Sequence, residues 1–129
     1  MVLAVGIIQI NVTDLQVAWD FYVETLGIPG HWRLGRNRAF ALDLGDGPTV
    51  LVYPVERKAT QGYPNETGVV LVLRTDNVRR LVRKWKAHGV MFHPAAWAAA
   101  DGIAESPFGP FIAFEDPFGN IHEIIENSE

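Results

Sequence analysis

The sequence predicts an α+β fold made of two tandem βαβββ modules, and three observations lead there. The chain repeats itself: Gly6-Ile7-Ile8-Gln9-Ile10-Asn11-Val12-Thr13-Asp14 returns as Gly68-Val69-Val70-Leu71-Val72-Leu73-Arg74-Thr75-Asp76, and Leu26-Gly27-Ile28 returns as His88-Gly89-Val90, at one offset of about 62 residues. Each copy runs from a β-rich stretch through a capping carboxylate into an amphipathic helix that a glycine ends. Turn-forming clusters then cut the rest of each copy into short strands.

The elements follow in order. Ile7–Val12 and residues 69–73 are rich in β-branched residues and read as strands. Asp14 and Asp76 stand where a carboxylate can accept the orphan amide protons of a helix start. Leu15, Ala18, Trp19, Tyr22 and Leu26 form one helical stripe, and Val78, Leu81, Val82 and Trp85 form another. Gly27 and Gly89 supply the left-handed stop. Arg79, Arg80, Arg83, Lys84 and Lys86 read as the solvated face of the second helix. Strands are expected at 30–34, 38–44 and 49–53 in the first copy. In the second they are expected at 90–93, weakly at 100–105, and at 111–115 and 121–126, one more than the repeat allows. Gly45-Asp46-Gly47 and Asp116-Pro117-Phe118-Gly119-Asn120 are turns between strands. Residues 58–67, with Gly62, Pro64 and Asn65, connect the halves. The whole of 1–129 reads as one domain, with module one over about 1–62 and module two over about 63–129.

Composition narrows the function. A net charge of −4 and an isoelectric point near 5.5 speak against nucleic acid as a partner. With no cysteine, disulfides, thiolate catalysis and cysteine metal sites are excluded. No apolar run is long enough to cross a bilayer, and the N-terminal segment lacks the features of a signal peptide. A cytoplasmic protein without membrane contact is expected.

Two segments carry a resemblance. Ile10-Asn11-Val12-Thr13-Asp14-Leu15, followed by Phe21-Tyr22 and Leu26-Gly27, and Asp116-Pro117-Phe118-Gly119-Asn120-Ile121-His122-Glu123 resemble the two signatures of the vicinal-oxygen-chelate superfamily. Its members include glyoxalases, bleomycin-resistance proteins and extradiol dioxygenases. The resemblance implies paired modules that curl mixed sheets around a cleft, and a homodimer. It also implies a divalent metal held by one side chain from the first and one from the last strand of each module. Those positions fall here on Ile7, Leu51, Val69 and Glu123. Three are hydrocarbon, and a single carboxylate cannot hold a transition metal. The expectation is therefore no metal and no cofactor.

Strand alternation then gives an inner face of Ile7, Gln9, Asn11, Leu51, Tyr53, Val69, Leu71, Leu73, Ile121 and Glu123. That is an apolar bowl with a few polar groups, in which Gln9 or Asn11 could hydrogen-bond Glu123. The long stretch 93–110 reads as a binding loop in which Trp97 and Phe108 can stack on a planar ligand. Ser106-Pro107-Phe108-Gly109-Pro110 is similar to the corresponding segment of the bleomycin-resistance branch. The expected ligand-binding residues are Gln9, Asn11, Tyr53, Trp97, Phe108 and Glu123, with Glu123 the one catalytic candidate. Three readings stay open. One is a metal-independent binder of a hydrophobic or planar small molecule. The second is a lyase, isomerase or dioxygenase of the superfamily, metal-dependent or with Glu123 as a metal-free base. The third is a structural or regulatory module with a vestigial pocket.

Overall fold

A computed structural model describes residues 3–33, 38–58, 60–64 and 68–126. The end of the strand expected at 30–34 (Leu34) and the linker residue Asn65 lie outside these described residues. The chain divides into two compact units, Met1–Ala59 and Thr60–Glu129. Each holds a mixed four-stranded sheet with a helix from the same unit, as the α+β expectation required.

In the first unit, β1 (Ile7–Val12), β2 (Gly30–Arg33), β3 (Ala39–Leu42) and β4 (Thr49–Pro54) lie in the order β1-β4-β3-β2. β1 runs parallel to β4, and the other pairs are antiparallel. Asp14 caps α1 (Leu15–Trp19) by accepting the Val17 N–H at 3.0 Å. The helix then widens into a π-helical turn, Asp20–Thr25, closed by Leu26 N–H donating to the Phe21 carbonyl at 2.8 Å. Gly27, at φ 80°, ends it. The core between helix and sheet is aromatic: Trp19 stacks on Trp32 at 4.8 Å, and both meet the edge of Phe40. A Cβ at Gly30 would overlap Val23 and Trp19, so only glycine admits this close approach.

In the second unit, β5 (Leu71–Thr75), β6 (Met91–His93), β7 (Phe111–Glu115) and β8 (Ile121–Glu126) lie in the order β5-β8-β7-β6. α2 (Val78–Ala87) buries Val78, Val82 and Trp85, and Trp85 meets Phe114 edge to face at 5.1 Å. Its arginines and lysines are exposed, and Arg79 is paired with Asp101 at 2.6 Å. The weak strand expected at 100–105 does not form. Asp101 accepts the Ile103 N–H and Gly102 sits at φ 86°, so the segment turns, and only Ala104 bridges to Phe111.

One further expectation is corrected, with consequences for the site. The cap of α2 is Asn77, which accepts the Arg80 N–H at 3.0 Å, and not Asp76. The structural partner of Asp14 therefore lies one residue later than the sequence offset placed it. The π-helical turn accounts for the difference: it adds one residue between the first cap and Gly27 that α2 lacks before Gly89. The glycines agree after the helix, so the strands before it are out of register by one. A one-residue slip turns every side chain to the other face of a sheet.

Candidate functional site

β8 is the spine of the site. Its start is set by the Asp116 turn, where the buried carboxylate accepts the N–H groups of Phe118 and Asn120 and the Asn120 side-chain amide. Gln61, from the segment before β5, accepts the Ile121 N–H at 2.6 Å through its side chain and donates its own N–H to the Gly119 carbonyl. Thus the stretch read as a plain connector is laid onto the first residues of β8. Two positions further on, Glu123 points to one face, and His122 and Ile124 point to the other and are buried.

On the Glu123 face the register puts Val72 beside Glu123 on one flank and Ala113 on the other. The next row is Arg74, Ile125 and Phe111. The expectation of Val69, Leu71 and Leu73 on this face is therefore overturned by the one-residue slip. Leu71 and Leu73 turn away from it, and Val69 precedes β5 and is 91% exposed. The corrected counterpart of Ile7 is Val70, again hydrocarbon.

Tyr63 completes the floor. Its hydroxyl donates to Glu123 Oε2 at 2.8 Å. Burial above all, then this hydrogen bond and the charge of Glu123, push the phenol up to about 12. Glu123 was expected to take its hydrogen bond from Gln9 or Asn11. It takes it from Tyr63, and the Gln9 side-chain amide donates to Asn11 Oδ1 at 2.8 Å. Next to Tyr63, with ring centroids 6.3 Å apart, His93 bonds Glu115 at 2.6 Å. The part played by Tyr63 is not legible in the sequence. Nothing in a strand pattern links a connector tyrosine to a residue sixty positions away, whereas His93, opposite Ala113 in the register, reaches Glu115 as a same-face diagonal neighbour once β6 is set against β7.

The loop 93–110 shapes the wall. Trp97 donates its indole N–H to the Glu105 carbonyl at 3.2 Å and tilts over Phe111 with centroids 6.1 Å apart. The Ser106 hydroxyl accepts the Phe108 N–H and donates to the Gly109 carbonyl, which holds Phe108 at the tip of a tight turn. Gly109 is at φ 126°, and a Cβ there would run into the Glu126 backbone, so this turn admits glycine alone. The result is a recess of about 650 Å³. Val72, Phe111 and Ile125 form its apolar base, Glu123, Tyr63, Arg74 and Ser106 supply polar groups, and Trp97 and Phe108 stand at its edge. Those two aromatics are 67% and 80% exposed.

Of the six ligand-binding expectations, Trp97, Phe108 and Glu123 line this recess together. Gln9, Asn11 and Tyr53 share one exposed face of the first unit's sheet, with Asn11 and Tyr53 side by side in register. Among the described residues no three His, Cys, Asp or Glu side chains converge as metal ligands would. Among them, too, no helix is long and apolar enough to cross a membrane.

Comparison with known proteins gives a consistent result. The family model described as "Glyoxalase/Bleomycin resistance protein/Dioxygenase superfamily" matches residues 4–124. Among solved structures, the fold is similar to TnmS3, an antibiotic binding protein from Streptomyces sp. CB03234. The identity is 23%, the TM-score 0.70, and 98% of each chain is covered. It is also similar to a glyoxalase/bleomycin resistance protein/dioxygenase superfamily member from Sphaerobacter thermophilus DSM 20745, at 24% identity, TM-score 0.72 and 98% coverage of each chain. A third, TioX from Micromonospora sp. ML1, is 18% identical with a TM-score of 0.70, over 97% of this chain and 99% of that one. Curated proteins give no match.

Proposed function

This chain belongs to the glyoxalase/bleomycin resistance protein/dioxygenase superfamily, and we propose that it is a metal-independent binding protein that holds a planar, hydrophobic small molecule in the recess beside Glu123. The observation that carries the reading is the pair of exposed aromatics, Trp97 and Phe108, at the edge of an apolar hollow. Large rings left in water gain free energy when a flat ligand covers them, and ring-on-ring contact adds to that gain. The volume falls within the roughly 300–1,000 Å³ typical of small-molecule pockets. A solved relative of the same fold is an antibiotic binding protein, which fits this use of the scaffold.

The metal site that the family implies is a poor fit to these side chains. Ile7, Leu51 and Val70 offer no donor atom, and Glu123 is held by Tyr63. One carboxylate cannot meet the several nitrogen or oxygen donors that such ions need. In the binder reading, Glu123, Tyr63 and Ser106 orient the polar edge of the ligand. Gln9, Asn11 and Tyr53 form a separate exposed polar patch on the first unit. The competing reading, an enzyme with Glu123 as base, has one observation behind it: a carboxylate within the recess, ready to accept a proton.

A calorimetric and thermal-shift screen with flat aromatic compounds tests the proposal. Stoichiometric binding that raises the melting temperature is expected, with unchanged ligand recovered afterwards. Absence of binding across such a set would refute it. Chemical turnover of a bound compound, or a stoichiometric divalent metal in protein purified without chelator, would favour the enzyme.

A further inference from the structure

We infer that the ligand of the recess carries an acidic group, a carboxylate or an acidic phenol, and that Arg74 receives it. This deepens the binder reading and rests on it. Arg74 lies on β5 in the row that continues through Ile125 to Phe111, the residue over which Trp97 tilts. A flat molecule laid against Trp97 and Phe111 therefore ends beside the guanidinium.

The other charge lining the recess, Glu123, is already engaged, and so are carboxylates on neighbouring elements. Glu123 accepts from Tyr63, Glu115 is bonded to His93, Asp101 to Arg79, and Glu126 accepts the Val78 N–H. Among the described residues, Arg74 has no ion pair. It is the charge in the recess whose partner is left to a ligand. A neutral molecule covering it would strip water from the cation and return nothing, whereas a carboxylate matches the planar fork with two parallel hydrogen bonds. A cationic ligand seeking Glu123 would find one of the two carboxylate oxygens taken by Tyr63 and would lie near a like charge. Arg74 is not legible in the sequence, because the 62-residue repeat offset places it on the opposite face of β5 from Glu123.

The test is titration calorimetry with three probes that share one flat ring system: pyrenecarboxylate, pyrenecarboxamide and pyrenylmethylammonium. The wild-type chain should bind the carboxylate at least about tenfold tighter than the amide, the scale of a charge-assisted pair. Arg74→Gln should erase that preference, while Arg74→Lys, which keeps the charge but loses the fork, should retain part of it. Added salt should weaken the carboxylate alone. Equal affinity for carboxylate and amide, tighter binding of the ammonium, or a preference unaltered in R74Q would overturn the inference and leave the recess reading standing. Failure of all three probes to bind would overturn both. Arg74 is exposed, so R74Q is expected to fold, and R74K provides a second test of the preference.

Discussion

Phe108→Ala separates a binding residue from a core residue. Phe108 is 80% exposed, so about one fifth of a side chain of roughly 200 Å² is buried in the free protein. At about 25 cal/mol per Å² its loss should cost about 1 kcal/mol of stability. For a domain of this size that lowers the melting temperature by roughly 3–5 °C. If a flat ligand covers half of the exposed remainder, about 80 Å² more is buried on binding, which contributes about 2 kcal/mol, or a factor of about 30 in Kd. Urea unfolding gives the first quantity, and calorimetric titration of wild type and variant with a polycyclic aromatic probe gives the second. An unfolding cost above about 3 kcal/mol would mean that Phe108 is packing material, of the order seen for buried phenylalanines. An unchanged Kd in a stable variant would mean that the ring does not touch the ligand. Either result defeats the reasoning.

Two further perturbations test how the site is built. Tyr63→Phe deletes the bond to the half-buried Glu123 and should cost about 1 kcal/mol in urea unfolding. In the wild type the phenol holds its proton more tightly folded than unfolded. Its contribution is whole below pH 10.0 and lost as the pH rises towards about 12. Unfolding free energies measured across that window should fall more steeply for wild type than for Y63F, and parallel curves would contradict the assignment. Asn77→Ala should cost about 1 kcal/mol, as loss of a helix cap does, whereas Asp76→Ala should stay within about 0.5 kcal/mol. The reverse order in denaturant melts would restore the uncorrected register.

Much of the fold was legible from local chemistry. β1, β7 and β8 lie where β-branched composition and turn residues put them, and Gly27 and Gly89 end their helices because a left-handed residue there is best supplied by glycine. That Trp97, Phe108 and Glu123 were candidates was legible because a long aromatic loop and the end of a signature segment stand out in one dimension, and the three line one recess. Val72, Arg74 and Tyr63 were not. The first two depend on the parity of a strand, and a single π-helical insertion in the other module hid that parity. The third depends on where a connector lands.

The amino-acid sequence by itself determined the repeat, the order of the elements that form and the absence of thiol chemistry. These follow from side-chain type and short-range preference, which need no partner in space. Only the tertiary structure decided which face of β5 meets Glu123, that Tyr63 holds that carboxylate, and that Arg74 stands beside the aromatic base. Those facts come from strand register and from contacts between distant residues, and a shift of one position reverses them without changing the local composition.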